Sequence, residues 1–177
     1  MNFIGEENKS SQIAKKPLDA ARAVGEVPIL KEPQIIGDFV LWLEQRPLER
    51  GRTTALLRPW MRRDCKPLEL TPGPIDLRTR VHGYGGSAIA TFHEANVIVL
   101  TWVDDIDGCL WIQSWVINDN QFFDDGNYLT VKNSPICLSI KGDYFLANGI
   151  IDCKHNRWLG IMEKNNKDYI VQFSLDK

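Results

Sequence analysis

From Ile35 onward the apolar, β-branched and aromatic residues come in runs of about five to nine, separated by clusters of Gly, Asn, Asp and Pro. No stretch in this region keeps the 3.6-residue spacing of an amphipathic helix, so the pattern predicts an all-β chain. The runs fall into three groups. The first holds Phe39 to Glu44, a charged turn from Arg46 to Arg52, Thr53 to Arg58, and Leu68 to Leu70. The second holds Ser87 to Phe92, a buried strand from Val97 to Val103, the acidic turn Asp104 to Gly108, Leu110 to Ile117, and a weak strand from Tyr128 to Val131. The third holds Tyr144 to Ile151, Trp158 to Met162, a polar turn at Asn165 to Lys167, and Tyr169 to Phe173. Ahead of them, Leu18 to Val24 follows Pro17 and precedes Gly25, which predicts a short helix.

Aligning the second strand of each group places Asp38, Asn96 and Asn156 at equivalent turn positions, 58 and 60 residues apart. A period of roughly 60 in an all-β chain predicts stacked four-stranded meanders, the architecture of a β-propeller. Four to eight such units close a ring, so this chain predicts an open piece of about two and a half blades. The predicted division is a 1–31 extension of short helix or coil, then an incomplete propeller over 32–177, with blades near 32–75, 84–133 and 143–177.

Composition narrows the function classes. With 44% hydrophobic and 25% charged residues, the chain is globular in type. Its 21 basic and 23 acidic residues are interspersed, leaving no basic field for nucleic acid. The longest apolar run, Val97 to Val103, is far shorter than the roughly 20 residues of a membrane helix. The N-terminal residues lack the apolar block of a secretory signal, so a cytoplasmic chain is expected.

Candidate chemistry is sparse. Cys65, Cys109, Cys137 and Cys153 form no CxxC pair and none adjoins a histidine, so free buried thiols are expected rather than zinc or a disulfide framework. Gly83 to Ala88 matches GxGxxA formally but opens a β-like run instead of a helix, so no nucleotide site is expected. Asp104 to Gly108 resembles a calcium loop, yet alignment on Gly108 puts Val103 and Ser114 where the first and last ligands belong; an exposed hairpin turn is expected. Only His82, His93 and His155 are available as bases, and neither Ser87 nor Ser139 sits in a GxSxG elbow, so no triad can be assigned. His82, between Val81 and Gly83, is the best-placed histidine, with a structural hydrogen bond expected over catalysis. Among Trp42, Trp60, Trp102, Trp111, Trp115 and Trp158, the strand tryptophans 42, 102, 111 and 158 are expected to pack between blades. No catalytic, cofactor-binding or metal residue is predicted, and no substrate-binding residue is named.

Several ordered motifs nevertheless point to a family. Trp42-Leu43-Glu44-Gln45-Arg46-Pro47 with Glu49 and Gly51-Arg52-Thr53, then Leu70-Thr71-Pro72 and Arg78-Thr79-Arg80-Val81-His82-Gly83-Tyr84-Gly85-Gly86, resemble the start of the N-terminal propeller of the prolyl oligopeptidase family. The likeness is to its acylaminoacyl-peptidase and dipeptidyl-peptidase-like bacterial members. Ala147 to Asp152 and Arg157 to Glu163 resemble a following propeller stretch, so the resemblance runs from about Glu32 to Leu175. It implies a truncated propeller, inert alone, that gates peptide substrates for an α/β-hydrolase domain carrying the Ser, Asp and His. It also implies a partner, either a separate α/β-hydrolase chain or a second copy of this one, with peptide substrates only in a complete enzyme. The rival reading is a stand-alone β-rich module that binds a protein or peptide. Two departures stand out. Gly83 replaces the acid of the family's usual His-Glu-Tyr-Gly-Gly, and Asp104 to Gly108 replaces a segment that commonly carries Gln-Arg.

Overall fold

The computed structural model describes Gly25, residues 27–118 and residues 128–176; the predicted helix at Leu18 to Val24 lies outside them. Twelve strands form three antiparallel sheets, and the described residues contain no α-helix. Sheet one is β1 (Ile29–Ile36), β2 (Phe39–Arg46), β3 (Arg52–Pro59) and β4 (Leu68–Glu69), hydrogen-bonded in that order. Sheet two is β5 (Ile89–Glu94), β6 (Val97–Val103), β7 (Leu110–Ile117) and β8 (Leu129–Val131), with β9 (Ile136–Cys137) sharing the free edge of β7. Sheet three is β10 (Phe145–Asp152), β11 (Arg157–Lys164) and β12 (Lys167–Ser174).

The three sheets repeat one turn. Asp38, Asn96 and Asn156 each lie between the first and second strands of a sheet, as aligned from the sequence. Each offers its carbonyl to an amide at the end of the third strand or just past it: Trp60 to Asp38 at 2.8 Å, Ile117 to Asn96 at 2.7 Å, and Leu175 to Asn156 at 3.1 Å. The shared bond ties three successive strands at the same corner.

Sheet two lies in the middle and is buried on both faces. Ile98, Leu100 and Trp102 point into a core with Phe39, Leu41, Leu43 and Leu57 of sheet one. Val99 and Val103 alternate with them and enter a second core with Leu146 and Trp158 of sheet three. Burial on both faces is why β6 reads as a continuous apolar run rather than an alternation. Trp115, on neighbouring β7, is also buried.

Strand β1 is the element that periodicity missed. Glu32 and Pro33 interrupt its apolar pattern, and its register shifts between Lys31 and Gln34, with Glu32 at φ +49°. Strand β10 carries the matching irregularity at Asn148 (φ +54°), between Ala147 and Ile150. Such bulges bend a strand and re-aim its side chains.

Tyr128 pins sheet two to sheet one. Its buried hydroxyl donates to Leu57 O at 2.6 Å and accepts the Leu68 amide at 2.9 Å, and burial pushes its pKa up to about 12. Tyr128→Phe leaves a part-buried amide and a buried carbonyl each short of a partner. The expected loss is about 1–3 kcal/mol in urea unfolding.

Candidate functional site

The first strands of the three sheets, β1, β5 and β10, lie side by side, and the loop from Leu77 to Ala88 crosses their common end. The sequence holds this loop at both ends. Asp76 Oδ1 accepts the Thr53 amide at 2.8 Å and Leu77 N donates to Thr53 O at 2.9 Å, so the chain leaves along sheet one. Arg78 N then donates to Val103 O at 3.3 Å, and Leu77 bridges to Asp104, which carries it onto sheet two. Gly85 and Gly86 serve close approach. A Cβ on Gly85 (φ +82°) would lie 2.8 Å from Thr79 O, and one on Gly86 would lie 2.8 Å from Asn148 Oδ1. The segment then enters β5, as expected from the β-like run that follows it.

Ser87 is the junction of the three strands. Its hydroxyl donates to Glu32 Oε2 of β1 at 2.6 Å, its amide donates to Asn148 Oδ1 of β10 at 2.8 Å, and its carbonyl accepts the Asn148 amide at 2.9 Å. The two bulges therefore aim their polar side chains at one residue just ahead of the strand between them. Sequence alone contains a faint signal of this: Asn148-Gly149 inside an apolar run marks a bulge.

His82 sits in left-handed backbone at φ +54° and binds sheet three. Its amide donates to the Glu163 carboxylate, and its Nε2 lies 3.2 Å from Asp168 Oδ2. Two carboxylates of the β11–β12 hairpin, more than 80 positions along the chain, thus face this one residue. Among the described residues His155 pairs with Asp152, His93 Nε2 has no hydrogen-bond partner, and no histidine is bonded to Ser87. The arrangement orders strands.

Two cavities flank the loop. One of about 370 Å³ is lined by Lys31, Glu32, Arg78, Arg80 and Tyr84, and one of about 190 Å³ by Arg78, Arg80, Tyr144 and the Asp104 to Gly108 turn. Tyr84 is 96% exposed at the mouth of the larger. The Asp104 to Gly108 turn is the expected hairpin, joining β6 to β7, but apart from Ile106 it is not exposed. Asp105 makes a two-pronged pair with Arg80 at 2.7 and 3.0 Å, and that guanidinium holds its carboxyl below the ordinary range. Asp107 accepts the Cys109 amide at 2.8 Å and the Trp111 indole at 3.1 Å. Asp104 is buried, accepting the Ile106 and Asp76 amides at 3.1 and 3.2 Å. No cluster of three or more metal-ligating side chains occurs among the described residues.

Burial pushes the Asp104 carboxyl above its usual 3.8, its two amide donors offsetting this only in part. A raised carboxyl pKa means that the folded state binds more protons, so this group costs stability as pH rises from 3.8 through the raised value. Asp104→Asn keeps an acceptor for both amides and removes that titration. Its melting temperature is expected to fall less than that of the parent chain as pH is raised across this window. At neutral pH the variant is expected to be no less stable.

The thiols depart from expectation in one respect. All four are unpaired, but only Cys109 is buried; Cys65 and Cys137 are half-buried and Cys153 is exposed. Trp60 is exposed, Trp42 and Trp111 are half-buried, and Trp102 and Trp158 are core.

Comparison with solved structures gives peptidases. A Mycobacterium tuberculosis puromycin-hydrolysing peptidase matches with a TM-score of 0.67 and 26% identity, over 90% of this chain and 22% of that one. A mutant puromycin hydrolase complexed with PGG matches at TM-score 0.69 and 20% identity, over 92% of this chain and 24% of that one. A further crystal structure of puromycin hydrolase matches at TM-score 0.67 and 21% identity, over 92% of this chain and 24% of that one. These structural neighbours belong to the prolyl oligopeptidase family, the family that the sequence motifs resemble. The chain spans about a quarter of their length. No protein-family model matches the sequence, and no curated protein is significantly similar to it.

Proposed function

We propose that this chain is a run of propeller blades from a prolyl-oligopeptidase-like serine peptidase, where it screens peptide substrates and supplies no catalytic group. The observation that carries the reading is the structural likeness of 90% of this chain to 22% of a puromycin-hydrolysing peptidase, joined to sequence motifs that resemble its family. In this reading sheets one, two and three are successive blades, 32–177 is propeller, and β1, β5 and β10 line its axis. The Ser87 junction and the loop above it set the width of the axial opening. A ring over a nucleophile excludes bulky folded substrates and water, so selection is by access as well as by pocket contacts.

The partners implied are further blades and an α/β-hydrolase unit, provided by the parent polypeptide, a separate chain or a second copy. No helix among the described residues is long and apolar enough to cross a membrane. A cytoplasmic setting agrees with four unpaired thiols.

The reading is tested by assaying the purified chain on puromycin and on aminoacyl-naphthylamide substrates, alone and after co-expression with a hydrolase unit of a puromycin-hydrolysing peptidase. Turnover is expected only in the co-expressed pair. Turnover by the chain alone, persisting through purification and abolished by Ser87→Ala or His82→Ala, would overturn it. Tight capture of a peptide by the chain alone would instead favour a stand-alone binding module.

A further inference from the structure

One packing rule joins the three sheets. Counting from the shared turn residues Asp38, Asn96 and Asn156, the odd positions of sheet one, Leu41 and Leu43, pack on the even positions of sheet two, Ile98, Leu100 and Trp102. The odd positions of sheet two, Val99 and Val103, pack in turn on the even positions of sheet three, Trp158 and Met162. Two sets are left over. Sheet one turns its even positions Val40 and Trp42 outward, and sheet three its odd positions Leu159 and Ile161, because side chains alternate across a sheet. These are the same two sets that meet at both internal contacts. Residues opposite one another in the ladder share a face, so Ile35 and Arg58 join Val40 on sheet one, while Ile150 joins Leu159 and Ile170 joins Ile161 on sheet three.

The outer face of sheet one carries a second sign of a missing neighbour. A cavity of about 500 Å³ opens there, lined by Leu30, Pro33, Val40, Trp42, Arg58 and Trp60. Trp42 Nε1 and Arg58 Nε are buried without a hydrogen-bond partner among the described residues, the guanidinium lying 6.0 Å from the centre of the Trp42 ring. Buried donors without an acceptor are costly, so this face is one that a partner completes.

We propose that the partner is a second copy of this chain, and that two copies close a six-sheet ring in which sheet three of each seats on sheet one of the other. This rests on the reading of the sheets as propeller blades, and it selects the second copy among the partners which that reading allows. Three sheets per chain make six in a pair, inside the roughly 4 to 8 that close a ring, whereas a third copy would make nine. The two contacts are then related by a two-fold axis, the commonest symmetry of soluble oligomers. Ile150 and Ile170, 61% and 86% exposed in the single chain, are covered by the face that holds Trp42 and Trp60. Gln172, opposite Leu159, adds an amide oxygen to the face that covers the two orphaned donors.

The test uses two variants of the full chain, each altered only at exposed side chains. Leu30→Lys with Ile35→Lys spoils the face of sheet one, and Ile150→Lys with Ile170→Lys spoils that of sheet three; circular dichroism confirms that both fold. In sedimentation velocity the unaltered chain is expected at twice the chain mass, with no larger species as concentration rises. Each variant alone is expected to be monomeric, since every contact needs one face of each kind. Mixed together, the two variants are expected to pair through the one intact contact, at least about tenfold more weakly than the unaltered chain, which makes two. A variant that dimerises alone would show like faces pairing and overturn the proposal. So would a mixture that stays monomeric, an unaltered chain that stays monomeric, or one that grows without limit. The peptidase reading fails on a different result, the absence of turnover in the co-expressed pair.

Discussion

Trp158→Ala is expected to cost about 3–5 kcal/mol, lowering the melting temperature by roughly 6–20 °C. Trp158 is 2% exposed and fills the second core from β11, its ring 5.9 Å from that of Phe173. The seat is made by two glycines. A Cβ on Gly149 would lie 2.0 Å from the indole Nε1, and one on Gly160 would lie 2.1 Å from the far edge of the ring. Neither backbone can retreat without breaking the β10–β11 ladder, in which Ile150 faces Leu159 and Ile151 faces Trp158. Gly160→Ala should therefore also destabilise, through overpacking rather than a void. Urea unfolding of the three proteins checks the assignment. A loss below about 1 kcal/mol for Trp158→Ala would mean that sheet three is not packed on sheet two as described.

The second large effect is on association. Both end sheets present apolar outer faces: Leu30, Ile35 and Trp60 with half-buried Trp42 on and beside sheet one, and Phe145, Ile150 and Ile170 on sheet three. Ile170 is 86% exposed and lies on β12, an edge strand of its sheet. In the proposed reading these faces would meet further sheets of a ring, and in the isolated chain they are expected to meet other copies, by the same burial of apolar area. Burying one isoleucine side chain is worth about 1.5–3 kcal/mol, so Ile150→Lys with Ile170→Lys should weaken self-association at least about tenfold in sedimentation velocity. Exposed positions carry little of the fold, so unfolding should move by less than about 0.5 kcal/mol per substitution. A parent chain that is already monodisperse and monomeric at high concentration would count against end faces built for other sheets.

Legibility in the sequence followed how local each determinant is. Strands Val97–Val103 and Leu110–Ile117 have the predicted bounds because burial on both faces leaves an uninterrupted apolar run ending at an acidic turn. The turn residues Asp38, Asn96 and Asn156 were equally plain, since short polar residues there follow from chain reversal alone. Strand β1 was not, because its pairing to β2 overrides a charged, proline-bearing sequence whose side chains are mostly exposed. The two-residue β9 is set by its partner β7 and carries almost no pattern of its own.

The site was less legible than the fold. The loop from Arg78 to Gly86 stood out by composition, but its partners Glu32, Asn148, Glu163 and Asp168 come from other sheets, and no spacing rule links them. The acidic turn misled for a related reason. Five residues rich in aspartate read as solvated, yet Arg80 and the surrounding amides hold Asp104 and Asp105 in the wall of a cavity.

The most direct test of the central claim is to read the coding DNA for about 1.5 kilobases beyond codon 177, a length sized to the remaining blades and a hydrolase domain. The account predicts more blade-like repeats, then a GxSxG elbow followed by Asp and His in that order, in the same frame or an adjoining one. Unrelated sequence there would contradict a propeller continued by its own peptidase and leave the chain as a module with a role of its own.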